Sequence, residues 1–112
     1  MAITTQRYQG TLTTTAAAIV TSGNVSDVWT VSKALATNTD ASNPHTITVY
    51  DDNAAAGAAA GNIVYGPVSI SPNETKVLPL SALAIMGGGK LWAAASANSA
   101  INLSVALSRT SQ

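Results

Sequence analysis

The 112 residues include no cysteine and no phenylalanine. Without thiols there is neither a disulfide framework nor a thiolate metal site. A single domain of this length buries enough apolar surface to fold without them. Charge is scarce as well. Asp, Glu, Lys and Arg make up 9% of the chain, five acids against five bases, for a formal net charge of zero. An ordinary soluble domain carries about 25% charged residues. Near-neutral surfaces tend to associate, and a free monomer usually relies on charge for solubility. The composition therefore favours a subunit covered by neighbours over a small neutral protein solvated by Ser, Thr and Asn. Long apolar runs are missing too: no stretch of about 18 strongly apolar residues marks a membrane helix. The opening MAITTQRYQG lacks the basic start and apolar core of a secretory signal. The expectation is a protein that stays where it is made until it is assembled.

What is present is an alternation of period two. Ile101, Leu103, Val105 and Leu107 alternate with Asn102, Ser104, Ala106 and Ser108. Ile47 and Val49 alternate with Thr46, Thr48 and Tyr50, and Trp29, Val31, Lys33 and Leu35 with Val28, Thr30, Ser32 and Ala34. Such patterns mark strands with one buried and one wet face. Turn signals separate them: SGN at 22–24, TDASNP at 39–44, SPNE at 71–74, GGG at 87–89 and ANSA at 97–100. The spacing predicts strands over 11–15, 17–21, 27–37, 45–51, 62–65, 68–71, 75–80, 90–96 and 101–108, the first two possible as one bent strand. The fold class expected is all-β: an antiparallel, jelly-roll-like β-sandwich of about eight short strands. It would span 11–108, between an N-terminal arm over 1–10 and a C-terminal tail over 109–112. The Ala- and Gly-rich segment 51–62 reads as a long hairpin loop, and 81–86 as one helical turn capped by Ser81.

Signals for chemistry fail on inspection. GGGK at 87–90 lacks the spacer of a phosphate loop, and Leu91 stands where Ser or Thr is needed. The single histidine, His45, has Asp40, Asp51 and many serines available for a triad, but no nucleophile elbow accompanies it. The Asp51–Asp52–Asn53 run has Ala and Gly where a calcium loop needs further acids. No catalytic residue, cofactor or metal ligand set is expected. Arg7, Lys33, Lys76, Lys90 and Arg109 are scattered, against the basic face that nucleic acid requires. The sequons at Asn24, Asn73 and Asn102 are formal matches only. Arg7, Tyr8, Trp29 and Trp92 remain as interface candidates, because Arg, Tyr and Trp dominate binding hot spots.

Three stretches together, TNTDASNPHTITVYD, VSISPNETKVLPL and LWAAASANSAINLSVALS, resemble a group of small virion structural proteins of tailed bacteriophages. The likeness runs over 12–108: an Asn-rich step, a Thr/Val strand, a tight turn, an Ala-rich apolar strand and a closing alternating strand. Asn73 stands where that turn usually has Gly, which Asn can replace because it tolerates positive φ. The tail ends in RTSQ rather than a Gly-Glu closure. The resemblance implies a non-catalytic β-sandwich made in the host bacterial cytoplasm and incorporated into the virion in many copies. Its partners would be the major capsid protein or other virion proteins, and its own form a homo-oligomer, a trimer being favoured. A head decoration (cement) protein is the first reading; a neck, collar or tail component is the second. A carbohydrate-binding fibre module with Trp29 or Trp92 as a sugar platform is the third.

Overall fold

The computed structural model describes residues 2–21, 28–52, 62–81, 83–86 and 89–111. Nine strands are found there: β1 (Ala2–Thr11), β2 (Ala17–Thr21), β3 (Val28–Asn38), β4 (His45–Asp52), β5 (Ile63–Ile70), β6 (Thr75–Leu78), β7 (Ala84–Met86), β8 (Lys90–Ala95) and β9 (Ile101–Ser111). They form two antiparallel sheets. One has the order β1-β9-β3-β6, with β7 also on β3; the other has the order β2-β8-β4-β5. Eight of the nine are laid out as a jelly-roll sandwich, and short β7 is an addition to it.

The core lies between the sheets and is filled by alternate residues of the central strands. Val31, Ala34 and Ala36 of β3, Ile47 and Val49 of β4, and Leu91 and Ala93 of β8 face inward. They meet Ile101, Leu103, Val105 and Leu107 of β9, the face expected from the sequence. The turn before β6 uses Asn73 at φ 58°, as the Gly-like position requires.

Several elements depart from expectation, each for a local reason. Residues 2–11, expected largely as an arm, form β1, which pairs with β9 from Ala2↔Ser111 to Thr11↔Asn102. Its inward positions include Gln6 and Gly10, so the strand has no apolar alternation to read. The expected tail likewise continues β9 through Ser111. In β3 the register against β9 shifts between Val31 and Lys33. That bulge reverses the facing, so Trp29 and Val31 point inward while Lys33 and Leu35 do not. The two strands expected over 62–71 are one strand, β5, whose register slips twice against β4. At the first slip Gly66 has φ 95°, and a Cβ there would collide with the Ile47 carbonyl. The helical turn expected over 81–86 is replaced by a tight turn, Leu83 N–H to Leu80 O, followed by β7. Of the expected 51–62 loop, 53–61 lie outside the described residues, as do 22–27 and 87–88.

Among the described residues one polar side chain is fully buried. Asn38 Nδ2 donates to the carbonyls of Asn43 at 3.0 Å and Ile70 at 2.9 Å. Its Oδ1 accepts the Asp40 N–H at 2.9 Å, so Asn38 ties the end of β3 to the following loop and to β5.

Candidate contact surfaces

The side of the sandwich bounded by β1 and β2 brings three of the expected interface residues together. Arg7 and Tyr8 of β1 and Trp29 of β3 line a slot of about 210 Å3, along with Ile19, Val20 and Leu107. Trp29 is only 8% exposed, so it is a wall of the slot and not an open platform. Arg109 is the cross-strand neighbour of Trp29, and its guanidinium carbon lies 5.7 Å from the indole centre. That distance suits a cation–π contact. Gly10 leaves room for the Tyr8 hydroxyl, which would lie 2.7 Å from a Cβ at that position.

Trp92, the fourth candidate, is on the other sheet and faces outward. Ala18 of β2, Trp92 of β8, Tyr50 of β4 and Ile63 of β5 are successive cross-strand partners. They form one row across all four strands, and Lys90 Nζ lies 5.6 Å from the Trp92 ring centre. Both ends of the row are open, Ala18 on β2 and Ile63, 37% exposed, on β5. Neighbouring positions carry Thr46, Thr48, Ala94 and Ser69. Tyr50 was legible as an outward residue of an alternating strand. Its adjacency to Trp92, 42 residues away in sequence, was not.

The outer face of the five-stranded sheet is a hydroxyl and amide surface. Thr11 Oγ1 donates to Asn102 Oδ1 at 2.8 Å, and the Thr37 and Thr75 hydroxyls bond each other at 2.8 Å. Arg7 and Lys33 both register on Ala106, one from each side. Val77, 63% exposed, pairs with half-buried Leu35. The remaining cations lie elsewhere; Lys76 Nζ, for example, donates to the Ser69 carbonyl at 3.2 Å.

Asp40, His45 and Ser96 also meet. Asp40 Oδ2 lies 2.9 Å from His45 Nε2, and Oδ1 accepts the N–H groups of Ser42 at 2.8 Å and Asn43 at 3.2 Å. The His45 bond, and then these backbone donors, hold the Asp40 carboxyl well below the usual carboxylate range. Ser96 Oγ accepts the Thr46 N–H at 2.9 Å and stands 3.5 Å from His45 Nδ1. An activated nucleophile sits closer to its base, at about 2.6–3.2 Å. The cluster binds the loop between β3 and β4 to the end of β8. Among the described residues no three His, Cys, Asp or Glu side chains gather as a metal site.

The class defined by this architecture is the jelly-roll β-sandwich. A chain of the structure described as "Bacillus endospore appendages form a novel family of disulfide-linked pili" superposes with a TM-score of 0.52 at 14% identity, covering 98% of this chain and 87% of that one. A chain of the "Cyanophage Pam1 capsid asymmetric unit" gives a TM-score of 0.41 at 18% identity, covering 96% and 83%. No family model and no curated protein matches the sequence. At 14% identity the first likeness is one of fold alone. The 112 residues have no cysteine with which to form a disulfide-linked assembly.

Proposed function

We propose that this chain is a virion structural protein of a tailed bacteriophage, without catalytic function. In this reading it is a decoration (cement) protein that binds the outer capsid surface and reinforces contacts between major capsid proteins. The observation that carries the reading is the row Ala18–Trp92–Tyr50–Ile63, an aromatic and apolar stripe on the outer face of the four-stranded sheet. It is set in a chain of which only 9% is charged. Aromatic anchors in a weakly charged surround are the composition of an interface centre. The three sequence stretches that resemble small phage virion proteins support the same reading. Trimers on capsid symmetry axes would bury such a patch repeatedly with one set of contacts.

Densitometry of purified particles against the major capsid protein tests it. A decoration protein approaches the number of capsid subunits. A handful to a few dozen copies gives the protein to the neck, collar or tail instead. Trp92→Ala and Tyr50→Ala should reduce occupancy on particles lacking the protein, while Thr48→Ala leaves it intact.

The pairing of Trp92 with Tyr50 favours one further reading, a carbohydrate-binding fibre module, since sugars stack on adjacent aromatic rings. Saturable quenching of tryptophan fluorescence by oligosaccharides, lost in Trp92→Ala, would establish it.

A further inference from the structure

The chain has five Lys and Arg side chains, and three of them have partners. Lys76 donates to the Ser69 carbonyl, Lys90 lies over Trp92, and Arg109 lies over Trp29. Arg7 and Lys33 have no hydrogen bond or ion pair among the described residues. Both are exposed, and the fold sets them on the two sides of one alanine.

Ala106 of β9 stands between buried Val105 and Leu107, so it faces outward. Arg7 of β1 and Lys33 of β3 are its direct cross-strand partners. Directly opposed residues share a face of the sheet, so both cations stand on the outer face. Lys33 owes its place there to the bulge. In unbroken alternation with Trp29 and Val31 it would point into the core. The register shift leaves Ser32 without a partner on β9 and re-aims Lys33 beside Arg7. Neighbouring strands are about 4.8 Å apart, which puts the two Cα atoms about 10 Å apart. Two long side chains leaning in from both sides meet above the Ala106 methyl, which puts nothing in their way. A shallow depression of about 340 Å3 adjoins it, with Thr5, Arg7, Ser32 and Ala106 among its lining residues. No carboxylate shares this face among the described residues: Asp40 and Glu74 lie in turns, Asp51 and Asp52 on β4 of the other sheet.

We propose that Arg7 and Lys33 form a binding site for a phosphate dianion, free or as a monoester, seated over Ala106. Arg7 supplies a planar fork of N–H donors that matches two phosphate oxygens, and Lys33 supplies a point charge opposite it. Two positive charges balance the charge of about −2 that a phosphate group carries at neutral pH. A single carboxylate would leave one of the cations unmatched. Thr5 and Ser32 add hydroxyl donors at the depression. The inference goes beyond the virion reading and does not depend on it, because it needs only the register of β1, β9 and β3.

The probe is inorganic phosphate, titrated into the isotope-labelled protein and followed by NMR, with sodium chloride of matched ionic strength as the control. Expected are saturable shifts of the Lys33 and Ala106 amide resonances at about millimolar phosphate, as suits a site of two exposed charges. Arg7→Ala and Lys33→Ala alter exposed side chains, so the sandwich keeps its melting temperature. Each should bind phosphate about tenfold more weakly, as losing a charge-assisted contact implies. Ala106→Glu sets a carboxylate between the two cations and should abolish binding in a protein that still melts cooperatively. Glycerol phosphate separates the two sources of the group. Tighter binding than inorganic phosphate assigns the site to an esterified phosphate, and equal or weaker binding assigns it to the free ion. Shifts that chloride reproduces would overturn the inference, leaving only general screening. Undiminished phosphate binding by Lys33→Ala or Ala106→Glu would overturn it as well.

Discussion

β9 and β1 lie side by side and pair residue for residue, yet they are held in the structure by different forces. β9 sends Ile101, Leu103, Val105 and Leu107 into the core, each at most 4% exposed. The inward positions of β1 hold Gln6, which is exposed, Tyr8, which is half-buried, and Gly10. β9 is a strand because its apolar face must leave water. β1 is a strand because a ten-residue ladder with β9 pairs the backbone groups that face that strand. Apolar alternation therefore reports which strands fill a core, not which segments are strands.

Deleting residues 2–10 tests that difference most severely. A free arm would be dispensable. A strand that covers one side of β9 is not, because its loss exposes the ladder of a core strand. The expected outcome is a protein without a cooperative melting transition in calorimetry; an unchanged transition would return β1 to the status of an arm. Next in size is Leu103→Ala on β9, expected to cost about 2–5 kcal/mol in denaturant unfolding through lost transfer energy and a cavity.

What was legible follows the same division. The strands of the core, the Asn73 turn and the inward face of β9 could be read because apolar spacing and turn chemistry are local. The bulge in β3 could not, since Val31, Ser32 and Lys33 carry no mark of a register shift fixed by pairing with β9. Of the candidate interface residues, Arg7, Tyr8 and Trp29 meet at one slot while Trp92 lies on another face. The slot itself needs the edge strands to be known, because β1 carries no apolar alternation. Asn38 was invisible for a related reason: one Asn among many polar residues shows nothing of the three partners that bury it. Asn38→Ala, which strands the Asp40 N–H and two carbonyls, is expected to cost about 1–3 kcal/mol, measured by urea unfolding. A cost near zero would mean water replaces it, and that loop would be held by Asp40 and His45 instead.

Asp40 gives the comparison a pH axis. Its carboxyl titrates lower in the folded protein than the ordinary value near about 3.9. A depressed folded value means stability that is complete above the ordinary value and is lost as pH falls towards the folded one. The melting temperature should therefore drop on acidification below about pH 4, the range set by the unfolded carboxyl. Asp40→Asn should melt lower at neutral pH and show a shallower acid limb. Parallel limbs in the two proteins would assign the acid sensitivity to other carboxylates.

The smallest effect is expected at Gln6, and it isolates how β1 is held. Gln6 faces inward but is exposed, because the slot lies open beside it. Gln6→Val exchanges a long polar side chain for a β-branched one that suits a pleated, half-buried surface. No buried hydrogen bond of Gln6 is lost, and the backbone ladder with Leu107 is untouched. The change in unfolding free energy should stay within about 0.5 kcal/mol, as for a surface site, in contrast to Leu103 on the partner strand. A cost above about 1 kcal/mol, the full span of strand propensities, would show that β1 is fixed by its side chains after all.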